Sequence, residues 1–211
     1  MDDRLKLWEP LFQRALRLID NSTQPFGPWS FGGGTVLMRR YQHRASKDID
    51  IFVSDQQSLG GVTPRLNDFA AQLTGDYVEG HLFLKLTFPE GEIDFIASAP
   101  LTEQPTKTEQ IFGRAIEVET SAEIIAKKVW HRAEHFKARD VLDLALVAER
   151  EPAALHEIAP VLRERKDAIL ARLAASETQL RDDFAQLEIL NYRRTYDECV
   201  DRARRALEKA G

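Results

Sequence analysis

The sequence predicts an α+β protein: a mixed sheet with flanking helices, followed by a helical C-terminal lobe. Two observations carry the prediction. Ten of the eleven glycines lie at or before Gly113, and the region from Arg114 to Ala210 holds only two prolines, Pro152 and Pro160. Glycine and proline punctuate turns, so the first half reads as loop-rich and the second as continuous helix. The second observation is Asp48–Val53 (DIDIFV), a β-rich run of alternating character that reads as a strand. The boundary is expected at 118/119, with a core over 1–118 and a helical lobe over 119–211.

The remaining elements follow in order. Leu11, Ala15, Leu18 and Ile19 recur at helical spacing and predict a helix over Pro10–Ile19. Residues 21–30 read as a loop. Phe31 leads into Gly32-Gly33-Gly34, and Thr35–Tyr41 reads as a short helix. Pro64–Leu73 reads as an amphipathic helix. Tyr77–Glu79, His81–Phe88 and Glu92–Ala97 read as strands, with Pro89-Glu90-Gly91 as a tight turn. Arg114–Val118 reads as one more. Thr120-x-x-Glu123 is a capping box that opens a helix running to Phe136. Helices are then expected over Asp140–Glu149, from Pro152 to Ala175 with a break at Pro160, and over Asp183–Ala210.

Composition narrows the function. The chain has 211 residues, 43% hydrophobic and 30% charged, which excludes disordered, collagen and coiled-coil classes. No apolar run approaches the ~18 residues of a membrane span. The N-terminal MDDRLKLWEP lacks the apolar core of a signal peptide. Cys199 is the single cysteine, which excludes an intrachain disulfide and a cysteine-rich zinc site. These features predict a cytoplasmic protein with no membrane partner. The net charge is 29 − 34 = −5, so a polyanion must meet a local basic patch. Two such clusters exist: Arg39, Arg40, His43, Arg44 and Lys47, and Arg193, Arg194, Arg202, Arg204 and Arg205. Each suits either an RNA backbone or a solvated helix face. His131 and His135 have helical i, i+4 spacing but no third ligand, so zinc is not expected.

The chemistry concentrates around Asp48 and Asp50. At i and i+2 of a strand their carboxylates project from one face, ~7 Å apart, and repel unless a cation sits between them. Such oxygen ligands suit Mg²⁺ or Mn²⁺, which also bind phosphates. Gly33-Gly34 ahead of a helix brings backbone N–H groups to phosphate oxygens, with Thr35 adding a hydroxyl. Asp94 joins the pair if its strand lies beside Asp48–Val53. Three carboxylates on neighbouring strands are the equipment of two-metal nucleotidyl transfer from an NTP.

In the second half, Ile125, Val129, Ala133 and Phe136 define the apolar face of a helix. Lys128, Arg132 and His135 flank it as a cationic stripe suited to a triphosphate, while Lys127 is expected on the solvent side. Asp140 and Asp143 read either as the N-cap and N3 of the next helix or as functional carboxylates.

Gly33-Gly34-Thr35-Val-Leu through His43-Arg44-Ala-Ser46-Lys-Asp48-Ile-Asp50-Ile-Phe resembles the AbiEii/AbiGii nucleotidyltransferase toxin family, within the DNA polymerase β-like superfamily. Ala126-Lys-Lys128-Val and Arg139-Asp140-x-x-Asp143-Leu144 are similar to that family's later motifs. The resemblance implies a polymerase β-like palm followed by the helical lobe. It adds Ser46 to the nucleotide-binding residues and Lys128 and Asp140 to the catalytic ones. It also implies transfer of a nucleotide from an NTP to RNA, at the 3′ end of a tRNA, with release of pyrophosphate, and a cognate antitoxin. The competing readings are transfer to an antibiotic or a protein side chain, and a non-catalytic nucleotide- or RNA-binding module.

Overall fold

A computed structural model describes residues 3–210. The chain forms two compact units. The first holds the chain up to Arg39, Ser46–Pro100 and Thr106–Glu119. The second takes Arg40–Ala45, Leu101–Pro105 and the chain from Thr120 on.

The first unit is built on a seven-stranded mixed sheet. Its strands are β1 (Trp29–Gly32), β2 (Ile49–Val53), β3 (Tyr77–Glu79), β4 (Phe83–Phe88), β5 (Gly91–Ala97), β6 (Thr106–Ile111) and β7 (Arg114–Glu119). The spatial order is β3-β4-β5-β2-β1-β7-β6. β2 pairs parallel with β5 and antiparallel with β1. In β2, Ile49, Ile51 and Val53 are buried while Asp50 and Phe52 are not, the alternation that a half-covered strand requires. Helices α1 (Glu9–Asp20), α2 (Gly33–Tyr41), α3 (Gln57–Val62) and α4 (Asp68–Leu73) accompany the sheet. Phe12 of α1 stacks on Phe31 of β1 with ring centroids 4.3 Å apart, tying that helix to the sheet.

The second unit contains α5 (Ser121–Arg132), α6 (Ala138–Arg150), α7 (Pro152–Glu157), α8 (Ala159–Ala175), α9 (Glu177–Ala185) and α10 (Tyr196–Lys209). Its core includes Ile125, Val129, Phe136, Val141, Leu144, Leu162 and Ile169, all essentially inaccessible. The break between α7 and α8 falls before Pro160, as expected from its missing N–H.

Several elements differ from the sequence reading. β1 and β6 lie in stretches not predicted as strands. The expected helix over Pro64–Leu73 is only α4, because the Asn67 side chain accepts from the Ala70 amide and caps the helix there. The expected helix over Asp183–Ala210 is split. Glu188–Asn191 is extended and pairs with Gln42–Ala45 through Ala45 N–H to Glu188 O (2.8 Å) and Leu190 N–H to His43 O (2.9 Å). This non-local pairing overrides a locally helical pattern.

Candidate active site

In the first unit the sheet gathers the acidic residues. Asp50 and Asp94 are in direct register on the parallel pair β2 and β5. Asp94 is mostly buried, and that burial together with the Asp50 charge raises its pKa to about 6, against the pull of Lys85. Asp48 stands one residue before β2, and its Oδ1 accepts the Glu92 amide at 3.1 Å. Lys85 of β4 lies opposite Asp94 in the β4–β5 hairpin. Its ammonium reaches Asp94 Oδ2 at 3.2 Å and also bonds Glu92 Oε2.

Gly33 and Gly34 open α2 directly after β1. Gly33 has φ +74°, a left-handed conformation that favours glycine, and a Cβ there would lie 1.8 Å from Asp50 Oδ2. Backbone and carboxylate therefore meet with no side chain between them. Thr35 is fully buried, and its hydroxyl donates to the Asp48 carbonyl (2.6 Å) and lies 3.0 Å from Ser46 Oγ. That hydroxyl anchors the approach to β2.

Among the described residues, no three His, Cys, Asp or Glu side chains stand together as a preformed metal cluster. The donor set still fits a divalent cation. Asp50 and Asp94 are hard oxygen donors in register, and their mutual repulsion is what a bound cation relieves.

The second unit holds a buried ion network. Asp143 is enclosed: Arg44 Nε donates to its Oδ1 at 2.8 Å and a second Arg44 nitrogen to its Oδ2 at 2.8 Å. His43 Nε2 lies 2.8 Å from Oδ1, and Lys128 Nζ lies 3.1 Å from Oδ2. Lys128 also donates to Asp140 Oδ1 at 2.5 Å, where Arg132 joins at 3.3 Å. Burial alone would push both carboxyls up. The Arg44 and Lys128 charges outweigh it at Asp143, and Lys128 and Arg132 do so at Asp140, so both sit below the ordinary range. Burial pushes His43 down, despite Asp143, so it stays neutral near pH 7.

A family model described as the nucleotidyl transferase AbiEii toxin of type IV toxin–antitoxin systems matches residues 17–209. The chain belongs to the AbiEii family. Two solved structures share its fold. One is a Helicobacter pylori protein described as a nucleotidyltransferase, at 16% identity and TM-score 0.56, covering 100% of this chain and 95% of that one. The other is the nucleotidyltransferase toxin MenT4 of Mycobacterium tuberculosis, at 20% identity and TM-score 0.51, covering 98% and 92%. No curated protein matches the sequence closely enough to stand as a relative.

In this AbiEii chain the expected residues fall into two groups. Gly33, Gly34, Thr35, Ser46, Asp48, Asp50 and Asp94 belong to the first unit, and Lys128, Arg132 and Asp140 to the second. Lys127 is not on a solvent face. It is 6% exposed, against 7% for Lys128, and pairs with Glu123 at 3.4 Å. Every residue of α5 from Ser121 to Val129 is buried, so the helix has no solvent side there. Asp140 is neither the N-cap nor accompanied by Asp143 at N3. Lys137 is the N-cap, and Asp140 itself is N3, accepting the Lys137 amide at 3.2 Å.

Several members of the basic clusters are tied to carboxylates. Arg39 pairs with Glu109, while His43 and Arg44 are buried on Asp143. Arg194 and Arg202 both pair with Glu149. Arg193, Arg204 and Arg205 stay exposed. The sequence reading does not single out Lys85, although its signal is present. The two-residue turn Pro89-Glu90 pairs Phe88 with Gly91 and thereby sets Lys85 opposite Asp94.

Proposed function

We propose that this chain is a cytoplasmic, metal-dependent nucleotidyltransferase toxin that moves a nucleotide from an NTP to an RNA acceptor, the 3′ end of a tRNA, and releases pyrophosphate. The observation that carries the reading is the in-register pair Asp50 and Asp94, with Gly33 packed directly on Asp50. Mg²⁺ or Mn²⁺ held by Asp48, Asp50 and Asp94, as two ions, would neutralise the triphosphate and acidify the attacking hydroxyl.

The chain's own residues supply the rest. The amides at Gly33 and Gly34, at the start of α2, bind phosphate oxygens, with Thr35 of the same helix and its partner Ser46 as the adjoining hydroxyls. Asp94, in register with Asp50, accepts the proton of the attacking hydroxyl. The hydroxyl oxygen bonds the α-phosphorus, the bond to the bridging oxygen breaks, and pyrophosphate departs with the electron pair. In the second unit, Arg132 has the most exposed side chain of Lys128, Arg132 and Asp140, at 35%. Arg132 and Lys128 share the Asp140 carboxylate, and Arg132, the more exposed cation, is the one open to an anionic ligand of this unit. A cognate antitoxin restrains the activity.

The test is incubation with each labelled NTP, Mg²⁺ and total RNA. Label is expected in a tRNA-sized RNA, and its appearance is expected to be abolished by Asp50→Asn and by EDTA. Label in protein or in a small acceptor would replace the RNA reading with the antibiotic or side-chain alternative. No transfer by the wild type with any NTP and acceptor would leave a binding module.

A further inference from the structure

Three strands set three charges in one row across the sheet. β2 contributes Asp50, β5 contributes Asp94 in register with it, and β4 contributes Lys85 in register with Asp94. The Lys85 ammonium touches Asp94 Oδ2 at 3.2 Å and also holds Glu92, the residue two before Asp94 on the same face of β5. Glu92 in turn presents its backbone amide to Asp48. One lysine is thus in direct contact with one proposed cation ligand and with the residue that orients another. Its side chain is 31% exposed, so it has room to swing away.

We infer that Lys85 is a built-in counter-ion of the cation site: it holds Asp94 and Glu92 in the metal-free protein and yields Asp94 when the divalent cation binds. Lys85 thereby sets how tightly the site takes the cation. The inference rests on the cation-site reading above. A positive charge within a few ångströms of a divalent ion opposes its binding even where water screens the interaction. The same charge offsets the repulsion between Asp50 and Asp94 while the site is empty.

The experiment measures Mn²⁺ binding by electron paramagnetic resonance and thermal melts with and without Mn²⁺. It uses the full chain as wild type, Lys85→Met, Lys85→Arg and Asp50→Asn, with and without a non-hydrolysable NTP analogue. Lys85→Met is expected to bind Mn²⁺ about five- to tenfold tighter, by loss of the opposing charge. It should melt lower than wild type without metal and show the larger upward shift on adding Mn²⁺. Lys85→Arg, which keeps the charge, should stay within about twofold of wild type on both counts. If Lys85→Met misfolds, Lys85→Gln reads the same quantity. Unchanged or weaker Mn²⁺ binding by the neutral variants, with wild type binding and Asp50→Asn not, overturns the role of Lys85 alone. Absence of Mn²⁺ binding by wild type, with or without the analogue, overturns the cation site and this inference together.

Discussion

Gly33 and Asp50 are in contact through the one position that has no side chain. A Cβ at Gly33 would stand 1.8 Å from Asp50 Oδ2, and the φ of +74° would strain any other residue. Gly33→Ala is therefore expected to lower stability by about 1–3 kcal/mol and to displace the Asp50 carboxylate. Nucleotide transfer should fall by about 100-fold, since a shift of ~1 Å at reacting groups has that effect. A Cβ added at Gly75 would meet nothing within 4 Å, so Gly75→Ala is the control and should leave transfer unchanged. Equal rates in the two variants would remove Gly33 from the site.

Asp94 gives a pH signature of definite sign. Its folded pKa of about 6 lies above its ordinary 3.8, so between those values the folded state binds the extra proton. Its contribution to stability is therefore lost as pH rises from about 4 to 6. Asp94→Asn, neutral at every pH, should match wild type near pH 4. At pH 7, without metal, it should exceed wild type by about 1–2 kcal/mol, after discounting for partial solvent screening. Differential melts across this range test it. A constant gap would mean that Asp94 is ionised throughout.

Asp143 should be the most sensitive residue of the buried network. It is inaccessible and meets Arg44, His43 and Lys128 at once. Asp143→Ala strands buried positive charge, a change that typically costs about 3–5 kcal/mol. Urea unfolding should show a large loss even where Asp50→Asn shows little. A loss below about 1 kcal/mol would mean that water reaches the network.

Lys127 and Lys128 are adjacent and both buried, each with its own carboxylate. Removing either is therefore expected to destabilise the fold, by about 1–3 kcal/mol for Lys127→Ala and more for Lys128→Ala, which leaves Asp140 and Asp143 one cation short. Thermal melts separate this from a surface change, which would stay within about 0.5 kcal/mol. For Lys128→Ala, a transfer defect larger than the melt predicts would add a direct role in the reaction.

Local chemistry made much of this molecule legible. The alternation Ile49, Asp50, Ile51 needs only the two-residue period of a strand, and it set which side chains enter the core. The Pro89-Glu90 turn joins neighbouring strands, so the pairing of Lys85 with Asp94 was determined within ten residues. The glycines that open α2 and the prolines at α7 and α8 act through their own backbones. Tertiary structure alone decided the rest. The parallel pairing of β2 with β5 spans more than forty residues and brings Asp94 to Asp50. The segment Glu188–Asn191 gave up helix to pair with Gln42–Ala45, where distant backbone hydrogen bonds outweighed local preference. Lys127 departs from its expected solvent face for the same reason. A helical wheel assumes one solvent face, and α5 packs against α6, α7 and α8 together, so burial there depends on neighbours that the helix's own period does not encode.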